Sequence, residues 1–486
     1  MRYHRFVLAL LLTLANGRWL VAQPAPPSTQ PIPTSQPIPR QQLDQMYRAE
    51  LGQLYNPADA DKLYQANLLL ERYFAAPDQR RAVVQSLQAL GLDANLIGRL
   101  ARIRMTWPPL APGVYYVNER MGPHDVRYFF GIPRGYDRTR PWPLVIKLPT
   151  ADAFLTEPRP DPIQVAQIYT AWMSDELSRH PDAVVIMPLL NLDELWGPSY
   201  VGMNSVIQPM HHLAGRVNID PARVYLLGHS MSAHAAWNLA LHYSTYFASF
   251  TSLAGGVGAD WQRLRLMNLR NILPVMWHDA DDPVVKVDLS RQLANILRNN
   301  LGIEIDYQET RNVGHTPTDA IAEAAYAKMR GRVRDLYPRR VSIQSNRPDT
   351  MFNRVDWVQI YQPLRPGEER RLYFRRGSGH MLVYPAAFSV DATLDGDNRI
   401  VATSQNVESM RFYINDQMID FSRPVIVTVN RKPRFEGMVR PDIEQMLKDQ
   451  LFLGRGWRYY TGVIDIDFGA APAAPATRGR ATTGQP

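Results

Sequence analysis

Val224-Tyr225-Leu226-Leu227-Gly228-His229-Ser230-Met231-Ser232 is the stretch on which the reading of this chain turns. Four apolar residues run straight into a glycine, a histidine and a serine, and a helical pattern follows over residues 233–242. That succession predicts a strand, a sharp turn and a helix. A serine at the tip of such a turn is held in a strained backbone conformation that lifts its hydroxyl above the end of a sheet. Its neighbours must be small, because strand and helix pass close together. Gly228 meets that demand, and Ser232 is still small.

The same alternation extends to both sides. Residues 126–132, 144–148, 183–187, 224–227, 272–277 and 303–307 read as strands, and 163–177, 201–217, 233–242, 289–297 and 319–329 as helices. Short apolar strands alternating with helices predict an α/β architecture, a doubly wound, mainly parallel sheet covered on both faces. Sites in such sheets form at the carboxyl ends of the strands, where every chemical candidate in this chain falls.

A serine hydroxyl needs a base, and the base needs an orienting acid. After a strand–turn–helix serine the chain order is Ser, acid, His. The strand at 272–277 is followed by His278-Asp279-Ala280-Asp281-Asp282-Pro283-Val284-Val285, and beyond that cluster the histidines are His315 and His380. His315 follows the strand at 303–307 and precedes the last helix, whereas His380 falls in a β-rich region, so His315 is the candidate base. Spacing alone leaves Asp279, Asp281 and Asp282 open as the acid.

Gly228 to Ser232 resembles the G-x-S-x-G nucleophile elbow, with Ser232 where the pattern has its second glycine. Residues 278–285 resemble the H-G-x-x-D-x-x-V stretch of secreted α/β-hydrolase esterases of the feruloyl esterase and polyhydroxybutyrate depolymerase-like group, and Ile219-Asp220-Pro221-Ala222-Arg223-Val224-Tyr225 is similar to that group as well. The resemblance covers residues 112–337. It puts the acid on Asp282, sets Asp279 in place of a glycine and leaves Asp281 as a solvated turn acid. It implies an α/β-hydrolase fold and acyl transfer through Ser230, His315 and Asp282 without cofactor or metal. The substrate it implies is a small or polymer-borne ester, of a secreted carbohydrate or polymer. In the family the strand equivalent to residues 143–148 ends in His-Gly, near a backbone N–H that completes the oxyanion hole. Pro149-Thr150 stands here instead, and proline has no N–H to give. The expected donors are the backbone N–H of Met231 with that of Thr150 or Ala151. Lys147 within an apolar strand either lies at a sheet edge or marks a site tuned away from the common chemistry. The layout also looks like multidomain hydrolases related to prolyl-oligopeptidase and dienelactone hydrolase, so a serine peptidase is one alternative. A non-catalytic binding protein on the same fold is another.

The 486 residues exceed one ordinary core, and 45% hydrophobic with 21% charged residues is globular composition. Residues 1–22 read as an export signal: Arg2, His4 and Arg5 precede an apolar run over 6–15 too short to span a bilayer, with Gly17 and Ala22 both open as cleavage positions. An exported, periplasmic or extracellular protein is the expectation. The net charge of +8 includes Arg2, Arg5 and Arg18, so loss of that segment leaves 8 − 3 = +5. No basic run accompanies it, which argues against nucleic-acid binding. No cysteine occurs, excluding disulfides and thiolate chemistry, and no later apolar run is long enough for a membrane span.

Residues 23–40 form a proline-rich linker and 41–106 a helical segment that could cap the next domain or, as favoured, pack on its side. Residues 107–338 form the α/β-hydrolase domain. Residues 339–468 carry a period of two, with strands at 388–394, 410–414, 425–429 and 462–466, and predict a small antiparallel, sandwich-like β domain. Residues 469–486 are Ala/Pro/Thr/Gly-rich and expected to be disordered. Trp357 and the tyrosines of the β domain suggest polysaccharide contact, against the alternative that this domain packs on the hydrolase and shapes its cleft. His211-His212, His229, His234 and His242 are expected to pack. Trp196 and Trp277 are pocket-lining candidates or core residues. Asp391, Asp395 and Asp397 are read as a β-turn and not a calcium loop.

Overall fold

The computed structural model describes residues 30–121, 124–148, 162–189, 200–373 and 380–469. The expected export signal, residues 23–29 of the expected linker, Pro149, Thr150, Ala151, Trp196 and the tail from residue 470 lie outside the described residues.

Four helices come first: α1 (Arg40–Leu51), α2 (Ala60–Ala75), α3 (Arg80–Ala89) and α4 (Ala94–Leu100). Leu43, Tyr47 and Leu51 face Leu63, Leu70, Leu87 and Ile97 in a common core. Eight strands then build the central sheet: β1 (Gly113–Met121), β2 (His124–Ile132), β3 (Trp142–Lys147), β4 (Val184–Pro188), β5 (Ile219–Leu227), β6 (Ser249–Leu253), β7 (Leu273–Asp279) and β8 (Asp306–Thr310). Between and after them run α5 (Pro162–Arg179), α6 (Tyr200–Ala214), α7 (Met231–His242), α8 (Asp288–Asn295) and α9 (Asp319–Arg330). Spatially the strands order β8-β7-β6-β5-β3-β4-β2-β1. The pairs from β8 to β4 are parallel, while β2 runs antiparallel to both β4 and β1. This is the α/β-hydrolase sheet.

The apolar runs are continuous because both faces are buried. Leu144, Ile146, Val224 and Leu226 point into a core shared with Val206, Met210 and Leu213 of α6 and Trp237 and Leu241 of α7. Their neighbours Val145, Tyr225 and Leu227 point the other way, onto Tyr169 and Met173 of α5 and Ala322, Tyr326 and Met329 of α9.

Two strands depart from the sequence reading. β8 starts at Asp306, three residues later than the apolar pattern at 303 suggests. β6 escaped notice because it reads Ser-Phe-Thr-Ser-Leu, although every residue of it is buried. Its hydroxyls are accommodated by hydrogen bonds: Ser249 Oγ donates to the Leu273 carbonyl (2.6 Å), and Ser252 Oγ accepts from Trp237 Nε1 (2.8 Å). Lys147 is not at an edge, since β3 lies between β5 and β4. Its Nζ meets Glu176 Oε1 of α5 at 2.6 Å. Burial pushes both groups toward their neutral forms, but their mutual attraction outweighs it, holding Lys147 above its usual range and Glu176 down at about 2.

Residues 340–469 form two facing sheets of five and four strands around a common apolar core. One pair, Arg399–Gln405 with Val425–Val429, is parallel. Trp357 is 0% exposed and donates its Nε1–H to the Pro338 carbonyl at 2.7 Å, so it presents no face to a glycan. A helix the strand pattern did not announce, α10 (Ile443–Leu453), leaves this region. Ile443, Met446 and Leu447 complete the core of α1–α4.

The α/β region and the sandwich meet through a buried polar seam. Arg334 donates to the Phe247 and Asn271 carbonyls (2.7 and 3.1 Å) and to both oxygens of Asp356 (2.8 Å each). Arg458 reaches the same carboxylate at 3.3 Å.

Candidate active site

β5 ends at Leu227, and α7 begins four residues later at Met231. Ser230, between them, has φ 55° and ψ −120°, a left-handed conformation that costs a non-glycine residue roughly 1–3 kcal/mol. The turn is enforced from both sides. Ser230 N donates to the Leu253 carbonyl (2.9 Å) and Leu253 N to the Gly228 carbonyl (3.0 Å), which ties the turn to β6. A Cβ on Gly228 would lie 2.5 Å from the Ser232 carbonyl oxygen and 2.7 Å from Ala233 Cα, so glycine is required there. Ser232 fits where the motif has glycine because its hydroxyl folds back on the turn. It donates to the His229 carbonyl (2.8 Å) and accepts from His229 N (3.0 Å).

The acid-rich turn after β7 and the loop after β8 bring the other candidates to this tip. His315 Nε2 lies 2.8 Å from Ser230 Oγ, and His315 Nδ1 lies 2.8 Å from Asp282 Oδ2. Nδ1–H therefore donates to the carboxylate, and the Nε2 lone pair faces the serine hydroxyl. Asp282 Oδ1 accepts the backbone N–H of Val284 (2.7 Å) and Val285 (3.0 Å). Burial pulls the Asp282 carboxyl upward, but the His315 hydrogen bond and these two N–H groups outweigh it and hold Asp282 below the usual carboxylate range.

The three neighbouring acids have three separate partners. Asp282 takes His315. Asp279 accepts from Thr310 Oγ1 (2.8 Å) and Val313 N (3.1 Å), pinning the histidine loop to the acid turn. Asp281 is exposed and accepts from Asn312 N at 3.1 Å.

Two further histidines support the assembly, and sequence reasoning did not give them this role. His229 Nε2 lies 3.0 Å from the His315 carbonyl oxygen, fixing the loop behind the imidazole. His278 Nε2 faces two acceptors, the Val285 carbonyl (2.9 Å) and Asp282 Oδ2 (3.2 Å), so it carries the proton, and Nδ1 accepts from Ser290 Oγ at 2.7 Å. The His229 contact has no local signature because it spans 86 residues, whereas His278 meets Asp282 and Val285 within the 278–285 stretch.

Met231 opens α7, and a leading helical N–H has no acceptor one turn back in its own helix. It stands beside Ser230 as the sequence reading requires, while its expected partners, Thr150 and Ala151, are outside the described residues.

The remaining candidates are structural. His234 Nδ1 contacts the Gly256 backbone, and His242 Nδ1 lies 2.9 Å from the Asn238 carbonyl. His211 is pushed down to about 4 by burial. His212 Nδ1 lies 2.9 Å from the Tyr128 hydroxyl. Trp277 is a core residue, its Nε1–H on Thr310 Oγ1 at 3.1 Å. Asp391 is engaged by Arg340 at 2.9 and 2.8 Å. Among the described residues no group of three His, Cys, Asp or Glu side chains could hold a metal ion, and no helix is long and apolar enough to cross a membrane.

Residues 210–333, the stretch holding Ser230, Asp282 and His315, match the Esterase family model, described as "Putative esterase". No curated protein matches the chain. Solved structures similar to it include a thermostable esterase (22% identity, 46% of this chain and 63% of that chain, TM-score 0.37). A ferulic acid esterase from the anaerobic fungus Anaeromyces mucronatus aligns at 14% identity over 46% of this chain and 90% of that one, with TM-score 0.32. An S-formylglutathione hydrolase from Agrobacterium tumefaciens aligns at 15% over 46% and 97%, with TM-score 0.34. The chain thus spans less than two thirds of the thermostable esterase. The family match supports an ester hydrolase.

Proposed function

We propose that this chain is an exported carboxylic ester hydrolase in which Ser230 is the nucleophile, His315 the general base and Asp282 the acid that orients it. The observation that carries the reading is the pair of 2.8 Å contacts linking Ser230 Oγ to His315 Nε2 and His315 Nδ1 to Asp282. Ser230 Oγ attacks the ester carbonyl carbon as His315 Nε2 takes its proton. Asp282, ionised and fixed by the Val284 and Val285 N–H groups, stabilises the imidazolium. The Met231 N–H and a second backbone donor from Thr150 or Ala151 hold the developing oxyanion, where one such donor contributes roughly 10²–10³ in rate. His315 returns the proton to the departing alcohol, then activates the water that releases the acyl group as a carboxylate. These steps need no cofactor. The substrate class is an ester borne by a small molecule or a secreted polymer.

The test is labelling of the purified protein with a fluorophosphonate probe, followed by peptide mapping. Label on Ser230, absent from His315→Ala, is the expected result. No label on a folded protein would overturn the reading and favour a binding protein on the same fold. Matched ester and anilide substrates decide ester against peptide cleavage: turnover of the anilide as fast as the ester would make the chain a peptidase. Export is tested by sequencing the amino terminus of the protein recovered outside the cytoplasm, where cleavage after Gly17 or Ala22 is expected.

A further inference from the structure

At the amino ends of β3 and β5, away from Ser230, lies a cavity of about 190 Å3 where three parts of the chain meet. The helical segment contributes Glu50, Arg102, Arg104 and Trp107, the sheet contributes Thr139, Asn218 and Ile219, and the turn after α10 contributes Arg455 and Trp457. Three guanidinium groups therefore share one small space, which is costly unless each charge is met.

Two of the three are met. Arg102 Nη1 binds Glu50 Oε1 at 3.1 Å. Arg455 is saturated: it binds Glu71 Oε2 (2.7 Å) and Oε1 (3.1 Å), and donates to the Ala101 and Ile103 carbonyls (both 3.1 Å). Arg104 has neither a hydrogen bond nor an ion pair among the described residues. Trp107 beside it is 2% exposed with its Nε1–H closed off, so its ring serves as wall.

We propose that this cavity is a binding site for a small organic monocarboxylate, held by the Arg104 guanidinium. A guanidinium fork matches the two oxygens of a carboxylate. Glu50 and Glu71 already offset Arg102 and Arg455, so one positive charge is left over, and a singly charged ligand balances it. Val217, Ile219 and Trp457 supply apolar wall for a short hydrocarbon body. The volume corresponds to about six waters at ~30 Å3 each, enough for an acid of a few carbons. Burial, and then the repulsion of Arg455, push Arg104 down to about 9 against the pull of Glu71, and an anion beside it would favour the charged form. Occupancy would also bond the helical segment to the sheet and to the turn at 455–457, so a ligand here stabilises the whole chain.

The experiment is calorimetric titration of the full-length mature protein with acetate, butyrate and inorganic phosphate at constant ionic strength, with thermal melts in the same salts against chloride. Saturable binding of butyrate or acetate is expected, with a rise in Tm. Arg104→Met should weaken it at least tenfold and, in chloride alone, melt no lower than the wild type, because it removes a half-buried charge that has no hydrogen bond or ion pair within the fold. Arg104→Lys, which keeps the charge but loses the planar fork, should weaken binding several-fold while the protein stays folded. The site would be refuted by carboxylate heats that are absent or unchanged in Arg104→Met. A lower Tm of that variant in chloride would mean that Arg104 is already satisfied within the fold. Phosphate binding as tightly as butyrate would refute the carboxylate assignment. Ester turnover is a separate readout, and Arg104→Met should leave it at the wild-type rate.

Discussion

The two ends of the central sheet handle polar groups in opposite ways. At the carboxyl end, Ser230, His315, Asp282, Asp279, His229 and His278 form one chain in which each side chain has a partner within 2.7–3.2 Å. At the amino end, Arg104 lines a cavity with no hydrogen bond or ion pair among the described residues. A fully satisfied network fixes geometry, which is what proton transfer needs, whereas an unsatisfied donor is a place held open for something else. The comparison teaches that rate should depend on one end and stability, with ligand response, on the other.

That division can be broken by substitution. The largest effect is expected from Asp282→Asn, which leaves the shape intact but removes the charge that orients His315. Turnover of a chromogenic ester should fall about 10⁴-fold, while Asp281→Asn, whose partner is the Asn312 N–H, should cost less than about threefold. Equal losses would erase the distinction between the two acids. His229→Phe keeps a ring against His315 but drops the bond to its carbonyl. We expect kcat to fall roughly tenfold, with KM little changed, since the lost interaction positions a base and does not bind substrate. An unchanged kcat would make that bond ornamental. The smallest effect concerns stability alone. His211, beside Tyr246 and Trp457 near the cavity, is held by burial at about 4, below its unfolded value of about 6.5. A depressed value means the unfolded chain takes up the proton first, so the stabilisation is complete above pH 6.5 and disappears as pH falls toward 4, by up to about 3 kcal/mol. Denaturant melts of His211→Phe should show a shallower acid loss than the wild type, and parallel curves would place that titration elsewhere.

What could be read from sequence was whatever is local or can be counted. The turn at Gly228 to Ser232 is local, because strand, tight turn and helix are consecutive. His315 emerged by elimination, since His380 is the other histidine beyond the acid cluster. The choice among Asp279, Asp281 and Asp282 was not readable from spacing, because it depends on how the loop after β8 folds over the turn after β7. β6 was hidden by its hydroxyls, whose partners come from α7 and β7. The helix α10 was hidden by its setting among strands, and its apolar face is explained by helices more than 300 residues earlier. Lys147 looked anomalous in an apolar strand because its counter-charge, Glu176, arrives from α5.

The seam at Arg334 has a practical consequence for anyone dividing this chain. Its guanidinium is anchored to two carbonyls just before β6 and β7 and to Asp356 of the sandwich, with both charged groups 0% exposed. Cutting after residue 338 would leave a cation in an apolar wall with no anion, and the complementary fragment would expose an orphaned carboxylate. Neither half would be a portable module. The hydrolase of this chain has been tailored to its neighbour, and a graft onto another scaffold would have to bring Asp356 along or replace Arg334 with a neutral side chain of similar bulk.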